Sequence, residues 1–372
     1  MAKKSFFENQ SDLTNAKIKI YKNYIEGYLP KLLMTFNTCV IVDMFCGAGK
    51  NGKEKGSPLV LIDRINSILS IEKLKKNNDL KIHILFNDQN KINIENLEIE
   101  LNKLSFNREK IIVHIKNEKY EELLPQIIAK WKNMSLPKFF FLDPYTYSNV
   151  KMEHLLKIMS LLNTEVLLFF PIFHAYRFSN KEFNKDHKTR VFNEEFTDSG
   201  IMDYGDVNNY LFSIRKKLLD NLKLKYVRPV LLDGGATKNA LVLLTKHIKG
   251  MFLMNKVAFR LTEDGSILKA NIQDQVSLFT SDVESKYSLN FKALLIKYLK
   301  NQTRTNKEIV DFTVQECFLP KHCLKEVKEL YYLKKVTVFD INDNGIPSSN
   351  KWNIAAKINK KIFIKWTEDE KK

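Results

Sequence analysis

Cysteine is scarce in this chain: 372 residues hold four, Cys39, Cys46, Cys317 and Cys323. Neither pair has C-x-x-C spacing, which excludes the usual zinc-knuckle and redox signatures. Cys39 and Cys46 flank an apolar run, where buried thiols are ordinary. Cys317 and Cys323, with His322 between them, do not make a ligand set by themselves, so no metal is expected. Long apolar runs are missing too. No window of eighteen apolar residues occurs, so no membrane-spanning helix is expected. The opening MAKKSFFENQSDLTN has a basic pair but no apolar h-region, so we expect no secretory signal and a cytoplasmic protein. Internal repeats, long low-complexity linkers, a Ser-His-Asp set and an H-E-x-x-H motif are all lacking.

Negative charge is the other shortage. Lys and Arg total 60 against 43 acids, a net charge of +17. Part of the lysine excess fits an A/T-rich coding sequence, but the physical charge remains and favours a polyanion partner, DNA or RNA. Hydrophobic residues at 44% and aromatics at 11% supply a sizeable core, and the length has room for two domains.

Strand and helix patterns alternate along the first half. Residues 17–33 place Ile18, Tyr21, Ile25 and Leu29 at helical spacing, with Pro30 expected to kink or end the helix. The apolar runs CVIVDMF, KIHILFN, KIIVHIK, KFFFL and EVLLFFP read as strands covered on both faces. Helical segments separate them. The first runs from GSPLVLIDRINSIL through SIEKLKK, with Ser57 as N-cap and Pro58 in the first turn. A polar insertion with scattered aromatics follows at about 172–223. KYVRPVLL and NALVLLTK then add two strands, the last antiparallel. The expectation is a Rossmann-type, methyltransferase-like α/β sheet of seven mostly parallel strands over residues 1–280. Residues 281–372 read as three short helices and a hairpin, a winged helix-turn-helix. In that part Thr305 and Glu308 form a capping box. Residues 286–372 hold 18 basic and 10 acidic side chains, which concentrates nearly half the excess charge there.

The loop VIVDMFCGAGKNGKEKGSP raises the question of ligand. A Walker loop fails at Met44, which stands at its first glycine position, and at Asn51, where Ser or Thr is needed. Gly47, Gly49 and Gly52 match the letters of a dinucleotide fingerprint, a weak signal alone. The spacing D-x-F-x-G-x-G, from Asp43 through Phe45 to Gly47 and Gly49, suits S-adenosylmethionine (SAM) better. SAM carries an ammonium and no pyrophosphate, so an acid helps where a dinucleotide would find it repulsive. The glycines let the backbone approach closely. At the second strand end Asp88 can accept ribose hydroxyls, and at the third Asn117 and Glu118 can reach an adenine. Asp143, Pro144 and Tyr145 end the fourth strand. There a polar oxygen can accept from a target amine while a ring stacks on a base, although Asp143 could equally cap the next helix. Arg177 suits a phosphate, a carboxylate or plain solvent. His83 and His114 read as packed core histidines. Lys321, His322, Lys325 and Lys328 fall on the presumed recognition helix and would face a groove or phosphates.

These pieces resemble the three-Cys-motif partner protein family (TcmP). The likeness lies in KIKIYKNYIEGYLPKLL, VDMFCGAGKNGKEKGSPLVLI, FFLDPYTY, FFPIFHAYRF and NALVLLTKHIKGMFLMNKV, in that order over most of residues 17–260. The chain departs from the family at Cys46-Gly47-Ala48-Gly49, where Ala-Gly-Pro-Gly is usual. It departs again at Tyr145-Thr146, where Phe-Gly is usual. The resemblance implies a SAM-methyltransferase-like fold with a winged-helix domain. It also implies a partner bearing a three-cysteine, radical-SAM-like motif, in a system linked to phage defence or mobile elements. Two functions remain open: a SAM-dependent methyltransferase acting with nucleic acid, and an inactive methyltransferase-like scaffold.

Overall fold

The computed structural model describes residues 2–52, 54–179, 187–198, 206–235, 237–269, 286–341, 347–348 and 362–367. It contains two compact units, residues 1–262 with 266–273, and residues 263–265 with 274–372. No helix among the described residues is long and apolar enough to cross a membrane.

The first unit is built on an eight-stranded sheet. Its strands are β1 (Thr38–Asp43), β2 (Lys81–Asn87), β3 (Ile111–Lys116), β4 (Lys138–Leu142), β5 (Thr164–Phe170), β6 (Tyr226–Asp233), β7 (Lys238–Thr245) and β8 (Ile267–Lys269). Across the sheet the order is β3-β2-β1-β4-β5-β7-β6-β8. Strand β7 runs antiparallel to both β5 and β6, and the other pairings are parallel. The first seven strands therefore have the order and the one reversed strand of the methyltransferase variant of the Rossmann sheet. The eighth, parallel to β6, is an addition the sequence reading missed, because three residues carry too little periodicity to register.

Period-two alternation sorts the strand side chains into two layers. Cys39, Ile41, Phe139 and Phe141 face one cluster. It contains α1 (Ala2–Leu33), α2 (Ser57–Leu69), α3 (Lys91–Asn102) and α9 (Ile248–Leu261). Val40, Val42, Phe140 and Leu142 face the other. That layer includes α4 (Tyr120–Trp131), α5 (Met152–Ser160), α7 (His187–Phe196) and α8 (Val207–Leu222). With both faces covered, the strands read as unbroken apolar runs. The insertion thus supplies helices to the second layer, together with the short α6 (Phe173–Arg177).

Two local expectations change. Pro30 lies within α1, which continues to Leu33. Helix α2 starts on Ser57 with Gly56 as its N-cap, so Ser57 is not the cap, and its hydroxyl has another use described below. That helix also ends at Leu69, before a short helical turn at Glu72–Lys75.

The second unit runs α10 (Lys286–Leu299), β9 (Thr303–Thr305), α11 (Asn306–Gln315), α12 (Pro320–Tyr332), β10 (Val336–Ile341), β11 (Pro347–Ser348) and β12 (Ile362–Trp366). Its sheet order is β9-β12-β10-β11. Thr305 and Glu308 form the capping box at α11, with Thr305 Oγ1 accepting from the Glu308 amide (3.2 Å) and Glu308 Oε2 from the Thr305 amide (2.7 Å). Phe291 stacks on Phe318 at 4.3 Å between ring centroids. Leu295, Ile309, Val327 and Ile364 are buried in the same unit. Most of the turn-rich NDNGIPSSN stretch lies outside the described residues.

Candidate active site

Strand order reverses direction between β1 and β4, and ligands of open α/β sheets bind beyond the carboxyl ends at such a point. The register puts Asp43 opposite Phe86 on one side and Phe141 on the other. Asp43, Asp88 and Asp143 therefore leave three adjacent strands at the same edge.

Asp43 is fully buried. Its Oδ2 accepts from Ser57 Oγ (2.7 Å) and its Oδ1 from the Phe45 amide (3.3 Å). Burial pushes its carboxyl up to about 7, with the Asp143 charge adding to the rise; Ser57, the Phe45 amide and Lys17 oppose it. Beyond it the loop turns through Gly47 (φ +62°) and Gly49 (φ +79°), conformations that favour glycine. A side chain at Gly49 would press on Leu97 at 2.8 Å, whereas space beside Gly47 is open. The Gly56 amide donates to the Gly49 carbonyl (2.7 Å), closing the loop at the start of α2.

Asp88 is also buried. Its Oδ1 accepts from the Asn90 amide (2.8 Å), and its Oδ2 from the Gly47 amide (3.0 Å) and the Tyr145 hydroxyl (2.5 Å). The glycine loop and the β2 end are thus one structure. Asn87 tightens it, donating to the carbonyls of Met44 (3.3 Å) and Glu118 (3.0 Å) and accepting from the Glu118 amide (3.1 Å). Asn117 spends its side-chain amide on the Asp88 carbonyl (2.8 Å), so it braces Asp88.

The β4 end departs from a free acceptor clamp. Asp143 Oδ2 lies 2.5 Å from Lys17 Nζ of α1, and that ammonium also sits 4.7 Å from the Phe169 ring centroid at the end of β5. Asp143 does not cap the helix that follows. Pro144 links it to Tyr145, whose ring meets Phe45 edge-on at 6.4 Å. Phe45 in turn packs on Tyr120 at 5.0 Å.

Lys17, Ser57 and Asn87 are site residues the sequence reading missed. Lys17 had a signal: it is a charge one helical turn before Tyr21, on the stripe α1 buries. Ser57 had one in the Gly-Ser-Pro that follows the loop.

The cleft between these strand ends is lined by Met44, Phe45, Asn87, Gln89, Tyr120 and Asn149 among others. One buried hydroxyl that lines it, that of Tyr120, has no hydrogen-bond partner among the described residues. The Tyr21 hydroxyl, also without a partner among the described residues, lies on the other layer of the sheet, where its ring packs on Phe139 and Phe141. An orphaned buried donor such as the Tyr120 hydroxyl marks a place where a polar ligand completes the bonding. An acid at the base of the loop, an open turn at Gly47 and a carboxylate that already holds a hydroxyl fit SAM.

Elsewhere, Arg177 lies over the Phe178 ring, 5.7 Å from its centroid. His83 and His114 are not packed core histidines. They stack across β2 and β3, His83 Nδ1 and His114 Nε2 lie 3.3 Å apart, and His114 is exposed. In the second unit, Lys321, Lys325 and Lys328 are exposed at i, i+4 and i+7 on α12. His322 turns inward: its Nδ1 accepts from the Leu319 amide (3.1 Å), and burial lowers its pKa to about 4.

No family model matches the sequence, and no curated protein does. Among solved structures, similarity is distant. A Legionella pneumophila protein of family DUF519 is 15% identical, covering 61% of this chain and 84% of its own, with TM-score 0.34. A SAM-dependent methyltransferase from Methanosarcina mazei is 14% identical over 57% and 93%, with TM-score 0.29. Human N-acetylserotonin methyltransferase, solved in complex with SAM, is 13% identical over 64% and 56%, with TM-score 0.23.

Proposed function

We propose that the protein is a SAM-dependent methyltransferase acting on nucleic acid. The observation that carries the reading is the convergence of Asp43, the Gly47–Gly49 turn and Asp88 at the switch point of a 3-2-1-4-5-7-6 sheet. In this reading Asp43 faces the ammonium of the cofactor. Gly47 and Gly49 let the backbone approach it, Phe45 walls the site, and Asp88, braced by Asn117, accepts its ribose hydroxyls. SAM supplies an electrophilic methyl group. Asp143, Pro144 and Tyr145 line the acceptor side, where positioning for in-line attack is the main catalytic demand.

The second unit, read as a winged helix, docks on nucleic acid through Lys321, Lys325 and Lys328. Its helix α12 suits this because its acids are engaged: Lys292 of α10 pairs with Glu329 and lies 4.0 Å from Glu326. The three lysines form no salt bridge among the described residues. His322, folded onto its own helix start, is not a phosphate contact in this reading. The resemblance to the TcmP family adds a three-cysteine, radical-SAM-like partner protein and a setting in phage defence or mobile elements.

A scaffold without catalysis is favoured by one observation, the Lys17–Asp143 pair, which occupies the oxygen an acceptor amine would use. Calorimetric titration with SAM tests the main reading. Wild type should bind, Asp43→Ala should lose at least tenfold in affinity, and NAD should be inert. Absence of SAM binding by the folded wild type would refute it. SAM binding without turnover on any DNA or RNA would favour the scaffold.

A further inference from the structure

Tyr145 does not stand ready to stack on a substrate base. Its hydroxyl bridges the β2 end and α3, donating to Asp88 Oδ2 (2.5 Å) and accepting from Asn93 Nδ2 (3.1 Å). Burial and the Asp88 carboxylate raise the phenol pKa, so the hydroxyl keeps its proton as a donor at neutral pH. The other bonds to Asp88 come from main-chain amides of Gly47 and Asn90, which are fixed by the loop and by the start of α3. Of the three donors on this carboxylate, only the Tyr145 hydroxyl is carried by a side chain that can swing away. The residue is 56% exposed, and beyond its hydroxyl bonds the ring contact is the edge-on one with Phe45. The cleft beside Phe45, whose ring Tyr145 meets, has about 10 Å³, room for about one water.

We propose that Tyr145 is a gate whose hydroxyl occupies the position of a ligand hydroxyl on Asp88. A nucleoside ribose displaces it, and the released ring swings toward the acceptor side. The proposal rests on the reading that the cleft takes an adenosine-bearing ligand. It adds an exchange at Asp88: one hydroxyl leaves as another arrives, so the carboxylate is satisfied in both states. Release of the Tyr145 ring is thereby coupled to cofactor entry. A ligand without ribose hydroxyls has nothing to offer Asp88 in return.

The test is calorimetric titration of the full chain with S-adenosylhomocysteine, comparing wild type, Tyr145→Phe and Asp88→Asn, each first checked for a native melting transition. Tyr145→Phe retains the ring and removes the competing hydroxyl. It should bind about tenfold more tightly, the size expected for one hydroxyl-to-carboxylate hydrogen bond. Asp88→Asn should bind more weakly than wild type. Equal or weaker binding by Tyr145→Phe, with wild type binding well, overturns the gate and leaves the cofactor reading standing. No binding by wild type or by Tyr145→Phe overturns both. A structural role alone would change the melting temperature of Tyr145→Phe without tightening the ligand.

Discussion

Asp43 carries a carboxyl that burial pushes up from 3.8 to about 7. The folded state therefore holds its proton more tightly than the unfolded chain does. Stability from this group falls as pH rises from about 4 to about 7 and is level above that. The shift sets a ceiling of roughly 4 kcal/mol. Asp43→Asn keeps the shape and removes the charge. It is expected to raise the melting temperature at pH 8, with the advantage shrinking as pH drops toward 4. Parallel thermal melts over that range check this, and a constant gap would mean that Asp43 does not titrate there. Function runs in the opposite direction. A cationic ligand needs the ionised form, so SAM should bind more tightly at pH 8 than at pH 6 and should release a proton at the lower pH. Calorimetry in buffers of different ionisation enthalpy detects that proton.

Among the elements, the glycine loop is held by its own backbone. A Cβ at Gly56 would lie 3.0 Å from the Gly49 carbonyl oxygen, which is main chain and cannot rotate aside. Gly56→Ala should therefore cost about 1–3 kcal/mol and displace Gly49. Urea unfolding and SAM titration should both register the change. Gly47→Ala meets no neighbour and should cost only the positive φ, about 1–2 kcal/mol. This loop was legible in the sequence because Asp43, Gly47 and Gly49 follow a strand-like run at fixed spacing. The seven main strands were legible because burial on both faces makes apolar runs that stand out from their polar connections. What stayed hidden came from distance along the chain. Lys17 and Asp143 are 126 residues apart, and no local pattern announces their pairing. Ser57 looked like a helix cap because hydroxyl residues favour that position, and only the fold shows that its Oγ faces Asp43. Asn117 stood at the expected strand end, but the chain uses its amide on Asp88 instead of leaving it free.

For the whole molecule, the charge excess makes a quantitative prediction. Replacing Lys321, Lys325 and Lys328 with Gln should lower the slope of log affinity against log salt for a DNA or RNA duplex by about three. Fluorescence anisotropy across a potassium chloride series measures it, and an unchanged slope would move the contact surface off α12.

Helix α1 is made before the strands it packs on and is finished after them. Lys17 awaits Asp143, and the Tyr24 hydroxyl donates to Glu165 Oε2 (2.6 Å), whose other oxygen accepts from Thr245 Oγ1 (2.7 Å). Tyr24 and Glu165 are 141 residues apart, and both are buried. During synthesis this helix therefore leaves the ribosome well before the strands it must cover. Its apolar stripe is fully covered only when β6 and α9, on which it also packs, exist, an interval in which chaperones or premature association compete for it. Lys17 finds its partner only once Asp143 has been added, so a nascent chain that carries every residue of the glycine loop still lacks the ion pair beside it.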